Sequence, residues 1–317
     1  MAKNGLISCP SPYAMESSED CLFLNVYTKN VRSRFPVPVI AYIHPGGFYV
    51  GSGDYDHHGP EYLLEQDVIL VTFNYRLSFF GFLSLEADSR VTANAGLKDQ
   101  VLALQWIKTN IHKFGGNSSS ISLMGSSAGA FSVQLHLVSP MSLGLFHKAI
   151  IMSGGIPPQL RFPRHQTELA KRQAKLFNCS SNDLYECFKN IDTFTLEQSV
   201  YENFLFGRDN PIFLWLPIVE SVNSQEEYFI ADENPLGLIK EGNFQKVPIL
   251  LGLTQHEIAT SAADVLTSKA LLHSWLNDFN NVGPMCLLYN KSNEISKHLF
   301  NHYFPTGSAN FTQLNEV

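Results

Sequence analysis

Ser127 stands in a pattern typical of a hydrolytic nucleophile. Residues 125–129 read Gly-Ser-Ser-Ala-Gly, which fits G-x-S-x-G, and they directly follow a strand-like run. A serine at a tight strand-to-helix turn adopts a strained backbone that only small neighbours tolerate, and its hydroxyl is exposed there. Because a helix starts at this turn, its N–H groups face a developing oxyanion. The pentapeptide alone recurs by chance in small-residue turns, but the flanking strand and helix favour a nucleophile.

A second glycine-containing segment, His44 to Phe48, reads His-Pro-Gly-Gly-Phe and follows another strand-like run. Consecutive glycines let the backbone turn its N–H groups outward and let a substrate approach without a Cβ in the way. In lipases and esterases a related loop supplies part of the oxyanion hole, together with the N–H after the nucleophile. Taken alone the segment also suits a simple Pro-Gly-Gly turn. Its position upstream of the serine turn favours Gly46, Gly47 and Ala128 as three oxyanion donors.

Glu257 is the best candidate for the acid of a catalytic triad. This chemistry on an α/β sheet uses the chain order Ser, Asp/Glu, His. Glu257 follows the apolar run 247–253, in a loop leaving the carboxyl end of a strand, where ligand chemistry gathers in open α/β sheets. The alternative is a solvated loop carboxylate. His273, His298 and His302 follow it in apparent amphipathic helices, where a surface role is the default.

Alternating strand and helix patterns predict the scaffold for these residues. The strand-like runs are Leu22 to Thr28, Val37 to His44, Val68 to Asn74, Ser120 to Gly125, Ala149 to Ser153 and Val247 to Leu253. The helical patterns are Gly96 to His112, Ala128 to Val138, Leu169 to Phe177, Ser261 to Phe279 and Asn293 to Tyr303. The runs at Val37, Val68 and Val247 are nearly continuous apolar stretches, as expected of strands covered on both faces. We therefore predict an α/β fold with a mostly parallel central sheet flanked by helices. Residues 178–245 show no clear period and resemble an inserted lid or cap.

The composition and charge of the chain limit the classes of molecule that it is expected to bind. The 317 residues are 44% hydrophobic and 16% charged, typical of a soluble globular protein with a substantial core. The net charge of −7 leaves no basic stripe that would follow phosphates, so nucleic acid is a poor candidate partner. No apolar run approaches the ~18 residues that span a bilayer, and no signal-peptide core begins the chain. No metal-ligand spacing or phosphate-binding loop is present, so we predict no metal and no cofactor.

Cysteines and glycosylation sequons favour an oxidising compartment. The cysteines at 9 and 21, and those at 179 and 187, lie close enough in sequence for each pair to close a short loop, and Cys286 is left over. Asn-x-Ser/Thr sequons stand at Asn117, Asn178, Asn290 and Asn310. The alternative is that sequons arise by chance and the thiols stay reduced.

Several segments in a fixed order carry a family resemblance. They are residues 18–25, 44–48, 74–77, 94–100, 114–116, 125–129 and 252–257. Over essentially its full length the chain resembles the type-B carboxylesterase family, which includes cholinesterases and insect esterases. The resemblance implies an α/β-hydrolase fold and hydrolysis of carboxylic esters, with a small-molecule ester as substrate. The alternative is a non-catalytic relative that uses the same fold for adhesion.

The resemblance also implies individual roles. Ser127 would be the nucleophile, Glu257 the triad acid, and Gly46, Gly47 and Ala128 the oxyanion hole. Ser153 would be a supporting partner of the acid. Disulfides would join Cys9 to Cys21 and Cys179 to Cys187, as expected of a protein secreted or held in the secretory lumen.

This chain departs from the family pattern at several positions. Pro45 and Ser78 stand where the family usually has glycine, and Ser126 stands where it usually has glutamate; Ile258 also replaces a common glycine. By the family's usual spacing, the catalytic histidine lies beyond Val317 and further strands precede residue 18. We therefore expect residues 1–317 to form a single α/β-hydrolase domain, truncated at both ends, with negligible turnover by itself.

An aromatic segment bears on the substrate. Phe206, Phe213 and Trp215 lie within residues 204–215 and could line an apolar pocket. The alternative is that they are packed core. We expect a neutral, lipophilic ester.

Overall fold

The computed structural model describes residues 7–12, 14, 16–86, 88–160, 162–179, 183–206, 211, 214–220, 228–231, 234–255, 257 and 259–308. These residues fall into two compact units. The first lies within 1–156, 161–200 and 215–252, and the second within 157–160, 201–214 and 253–317. The serine turn, the glycine loop and the whole sheet belong to the first unit.

Six strands form one sheet in the first unit. They are β1 (Leu24–Tyr27), β2 (Val37–Ile43), β3 (Ile69–Phe73), β4 (Gly116–Ser126), β5 (Lys148–Met152) and β6 (Ile249–Gly252). The order across the sheet is β1-β3-β2-β4-β5-β6. Only the β1–β3 pair is antiparallel, and every other pair is parallel. The predicted strands and the mostly parallel sheet are therefore confirmed.

The described helices lie in both units: those up to residue 241 belong to the first unit, with the sheet, and those from residue 259 onward belong to the second. They are α1 (Tyr55–His58), α2 (Ser78–Phe82), α3 (Ala95–Asn110), α4 (Ala128–Val138), α5 (Thr167–Lys175), α6 (Leu184–Lys189), α7 (Thr193–Gln198), α8 (Pro235–Glu241), α9 (Ala259–Thr267), α10 (Lys269–Asn277), α11 (Phe279–Cys286) and α12 (Asn293–Tyr303). The helical pattern predicted over 261–279 is confirmed, and it is divided between α9 and α10. Ser268 has an extended backbone, and its side chain accepts a hydrogen bond from the N–H of Leu271. It therefore ends one helix and caps the next.

Buried residues lie mainly in the middle strands of the sheet, and the exposure of the last strand contradicts one prediction. Every residue of β3 is buried, because β1 and β2 flank this strand. The apolar strand β6 differs, since Ile249, Leu250 and Leu251 are 44%, 66% and 57% exposed. Among the described strands, β6 is last in the sheet order and pairs with β5. An unbroken apolar run predicted a strand here, but burial on both faces was wrong.

The region predicted as a cap is not one of the two units. Helices α6 and α7 lie in the first unit, and so does α8, whereas residues 201–214 belong to the second. The three helices have only six or seven residues each, too short for a clear period. A single domain with a cap over 178–245 stays a prediction.

Both predicted disulfides are present, joining Cys9 to Cys21 and Cys179 to Cys187. Cys286 is free, and burial raises the pKa of its thiol to about 12.

The sequons differ in accessibility. Asn178 and Asn290 are exposed, Asn117 is half-buried at the start of β4, and Asn310 lies outside the described residues. Among the described helices, none has the length and apolar character needed to cross a bilayer.

Candidate active site

Ser127 occupies a strained turn between β4 and α4. Strand β4 ends at Ser126 and helix α4 begins at Ala128. The backbone of Ser127 has φ 52° and ψ −118°, a region that costs a non-glycine residue ~1–3 kcal/mol and persists only where the surroundings enforce it. Its N–H donates to the carbonyl of Met152 at 3.0 Å, and its own carbonyl accepts from the N–H of Phe131 at 2.9 Å. The predicted turn geometry is confirmed.

Three glycines allow the neighbouring segments to press against this turn. A Cβ on Gly125 would lie 2.3 Å from the backbone of Gly129, and one on Gly129 would lie 2.2 Å from the carbonyl oxygen of Ile43. A Cβ on Gly154, beyond β5, would lie 2.3 Å from the carbonyl oxygen of Ser127. The turn is therefore packed between the carboxyl ends of β2 and β5, and any side chain at these positions would push them apart.

The glycine loop leaves the strand next to the serine turn. Ile43, the last residue of β2, pairs with Gly125 of β4, so both strands end at the same edge of the sheet. Gly46 and Gly47 have φ of +125° and +59°, which only glycine adopts without strain. Phe48 packs edge-on against Phe131 of α4, with ring centroids 5.4 Å apart. The loop is thus fixed to the same helix that begins after Ser127.

The predicted oxyanion donors are unpaired. Within the part of the chain that the structure describes, the N–H groups of Gly46, Gly47 and Ala128 donate to no protein acceptor. Unpaired backbone donors are uncommon in folded proteins unless they face solvent or a ligand. Pro45 has no N–H, but it precedes both glycines, so it removes none of the three donors.

His44 is a buried residue that supports the glycine loop through its ring. It is fully buried, its ring stacks on Tyr75 with centroids 4.3 Å apart, and its Nδ1 lies 2.8 Å from the carbonyl oxygen of Pro45. The hydroxyl of Tyr75 donates to the carbonyl of His44 at 3.2 Å. Burial lowers the pKa of His44 to about 4. A neutral, enclosed imidazole of this kind positions the loop.

Glu257 belongs to the second unit, and Ser153 belongs to the first. The exposed carboxylate of Glu257 accepts a hydrogen bond from the N–H of Thr254 at 2.7 Å. Ser153 follows β5 with φ 48°, and its N–H donates to the carbonyl of Gly252. Their roles as triad acid and supporting serine stay predictions. The histidines predicted to lie on helices do so, exposed, at His273 on α10 and at His298 and His302 on α12.

The aromatic segment is divided between the two units. Trp215 is buried in the first unit, with its ring 5.5 Å from that of Phe79, so it is core and does not line a pocket. Phe206 is half-buried in the second unit, and Phe213 lies outside the described residues.

Sequence reasoning missed the buried polar residues that hold the helices near the site. Asn94, with φ 51°, donates to the carboxylate of Glu220 at 2.7 Å, and Lys98 pairs with the same carboxylate at 2.6 Å. Glu220 is distant in sequence and lies in a segment without a period. The only available signal was that Asn94 and Lys98 fall within one of the resembling segments.

Comparisons with known proteins agree with this geometry. The model of the carboxylesterase family matches residues 3–316. Juvenile hormone esterase of Tribolium castaneum is 37% identical over 284 residues, covering 87% of this chain and 47% of that protein. Venom carboxylesterase-6 of Apis mellifera is 32% identical over 313 residues, covering 96% and 55%. The chain thus spans about half the length of the curated relatives it matches.

A solved structure gives the same fold. The crystal structure of juvenile hormone esterase from Manduca sexta, with OTFP covalently attached, superposes with a TM-score of 0.84 at 29% identity. The match covers 98% of this chain and 61% of that one. With the serine turn, the unpaired donors and the family model in agreement, the chain belongs to the carboxylesterase family.

Proposed function

We propose that this chain carries the nucleophile and oxyanion hole of a serine carboxylesterase, with the acyl-enzyme formed on Ser127. The observation that carries the proposal is the strained backbone of Ser127 beside a neighbouring loop that also presents unpaired N–H groups. A non-catalytic binding protein has no use for a serine held at a cost in stability.

The chemistry is acyl transfer in two steps. The Oγ of Ser127 bonds to the ester carbonyl carbon and gives its proton to a histidine, and the N–H groups of Gly46, Gly47 and Ala128 stabilise the oxyanion. The bond from carbon to the alcohol oxygen then breaks, and the alcohol leaves with the proton. Water repeats the sequence on the acyl-enzyme. Glu257 would orient the histidine and stabilise its charged form.

Five of the described histidines lack the setting of that base. His44 and His136 are fully buried, and burial lowers the pKa of each, whereas the three described histidines after Glu257 are exposed on helices. A triad without its base keeps only ~10³–10⁴ of rate enhancement over water.

The substrate we propose is a neutral, lipophilic ester. An acidic chain with a net charge of −7 does not favour anionic substrates. Two of the relatives are named for hydrolysis of a hormone ester, which agrees with this class. The two disulfides support passage through a secretory lumen.

Covalent labelling of the serine tests the proposal. The chain is incubated with a fluorophosphonate or p-nitrophenyl butyrate, and the adduct is located by peptide mass spectrometry. We expect the adduct on Ser127, its loss in Ser127→Ala, and its persistence in Ser126→Ala, a matched control one residue away. The proposal would be contradicted if no adduct formed at any reagent concentration that leaves the chain folded, or if the adduct persisted in Ser127→Ala.

A further inference from the structure

A buried hydrogen-bond chain runs from the last turn of α4 back to the first residue of that helix. His136 and Ser132 lie on α4, Gln100 lies on α3, and Ser142 follows α4; all four side chains are fully buried. Nδ1 of His136 lies 2.7 Å from the hydroxyl of Ser142, and its Nε2 lies 2.9 Å from Oε1 of Gln100. Nε2 of Gln100 lies 3.2 Å from the hydroxyl of Ser132, which lies 3.0 Å from the carbonyl oxygen of Ala128.

One polarity satisfies every member of this chain. A carbonyl oxygen only accepts, so the hydroxyl of Ser132 donates to Ala128 and its oxygen accepts from the amide of Gln100. The carbonyl of Gln100 then faces His136, which must carry its proton on Nε2. Nδ1 of a neutral imidazole accepts, so Ser142 donates to it. Burial lowers the pKa of His136 to about 3, which keeps the ring neutral as this polarity requires.

The chain ends on an oxyanion donor. The carbonyl of Ala128 accepts from the hydroxyl of Ser132 in addition to its place in the first helical turn. This bond holds the peptide that joins Ala128 to Gly129, and the peptide that carries the N–H of Ala128 is attached to the same Cα atom. The orientation of the residue whose N–H faces the oxyanion is thus tied to α3. Gln100 cannot move without leaving buried polar groups unpaired, which is costly.

We propose that His136, Gln100 and Ser132 are positioning residues, which hold the backbone of Ala128 in the place from which its N–H meets the oxyanion. They touch neither the substrate nor the reacting atoms. The inference rests on the proposed esterase chemistry at Ser127.

The first unit contains a matched control for this arrangement. Gln173 donates to the hydroxyl of Ser199 at 2.6 Å, and that hydroxyl donates to the carbonyl of Leu196 at 2.7 Å. Gln173 is fully buried. Ser199→Ala therefore removes the same Gln-to-Ser-to-carbonyl link at a helix other than α4, so it reports on the loss of such a link in general.

The test uses a readout that a general loss of stability does not move. Acylation rate constants of Ser127 are measured by intact mass with a p-nitrophenyl ester and with its thionoester, whose sulfur anion is larger and accepts hydrogen bonds more weakly. The ratio of the two rate constants reports how well the N–H groups fit an oxyanion. Removing an oxyanion donor outright costs ~10²–10³ in rate, so tilting one in Ser132→Ala should lower the ratio by about tenfold. Gln100→Met should lower it less, because the hydroxyl of Ser132 remains.

The outcomes separate this inference from the proposed function. An unchanged ratio in Ser132→Ala and Gln100→Met, or an equal fall in Ser199→Ala, overturns the positioning role while the esterase proposal stands. If the unsubstituted chain acylates no faster than Ser127→Ala, both are overturned. Should Ser132→Ala fail to fold, Gln100→Met alone decides, since a ratio equal to that of the unsubstituted chain overturns the inference.

Discussion

Replacement of Gly129 by alanine tests the packing of the serine turn against β2. The new Cβ would lie 2.2 Å from the carbonyl oxygen of Ile43, 2.9 Å from its carbonyl carbon and 3.0 Å from the carbonyl oxygen of His44. These atoms are backbone, because Ile43 ends β2 and pairs with Gly125 of β4 and His44 follows directly, so they cannot rotate away as a side chain would. Overpacking typically costs ~1–3 kcal/mol, and a backbone contact about 1 Å too short places Gly129→Ala at the upper end, about 3 kcal/mol.

The same displacement should impair chemistry more than it impairs folding. Relief of the contact moves the start of α4 away from the end of β2, and thus Ala128 away from Gly46 and Gly47. A misplacement of ~1 Å can cost ~10²-fold in rate. We expect fluorophosphonate labelling of Ser127 to be about a hundredfold slower in Gly129→Ala than in the unsubstituted chain. The labelling rate is measured at a urea concentration at which the variant is still folded.

Gly252→Ala is the control for both measurements. No atom lies within 4 Å of a Cβ at Gly252 and its φ is not in the left-handed region, so its stability should change by less than ~1 kcal/mol and its labelling rate should be unaffected. The assays are urea unfolding and fluorophosphonate labelling. If Gly129→Ala matched Gly252→Ala in both, α4 would not be packed against β2 as described, and the reasoning would fail.

Three further expectations follow from the same structure. Ser127→Gly should have a larger free energy of unfolding in urea than Ser127→Ala, by up to ~1–2 kcal/mol, because only glycine removes the backbone strain. Equal free energies of unfolding would count against the strain. Glu220→Gln should lose about 3 kcal/mol in urea unfolding, because it leaves the ammonium group of Lys98 without its buried carboxylate, and a loss below ~1 kcal/mol would contradict this. His44 and His136 have folded-state pKa values of about 4 and about 3, below their ordinary 6.5. At a pH between the lowered and the ordinary pKa, the unfolded state therefore binds more protons than the folded state. Stability should therefore fall as pH drops below 6.5, by up to ~1.4 kcal/mol per pH unit for each histidine, and His136→Gln should reduce the slope measured by urea unfolding at pH 5–7.

The sequence predicted the sheet and the serine turn because both depend on local features. Apolar runs such as 37–43 and 69–73 are typical of strands inside a sheet, and these two runs form neighbouring strands there. At the turn, glycines at 125 and 129 flank Ser127, and small residues at this spacing are what a strained strand-to-helix bend demands. Short helices without a full period, such as α6 and α7, gave no comparable signal.

Tertiary structure decided which polar side chains meet. Gln100 lies 36 positions from His136, and Glu220 lies 122 positions from Lys98, so no periodicity links either pair. Burial creates these pairs, because a polar group removed from water must find whichever partner the fold brings near. The exposure of β6 could not be predicted from the sequence either, since an apolar run indicates a strand but not how many neighbouring elements cover it. The sequence thus determined the strand-to-helix turn at Ser127, whereas three-dimensional packing alone decided which side chains hold that turn in place.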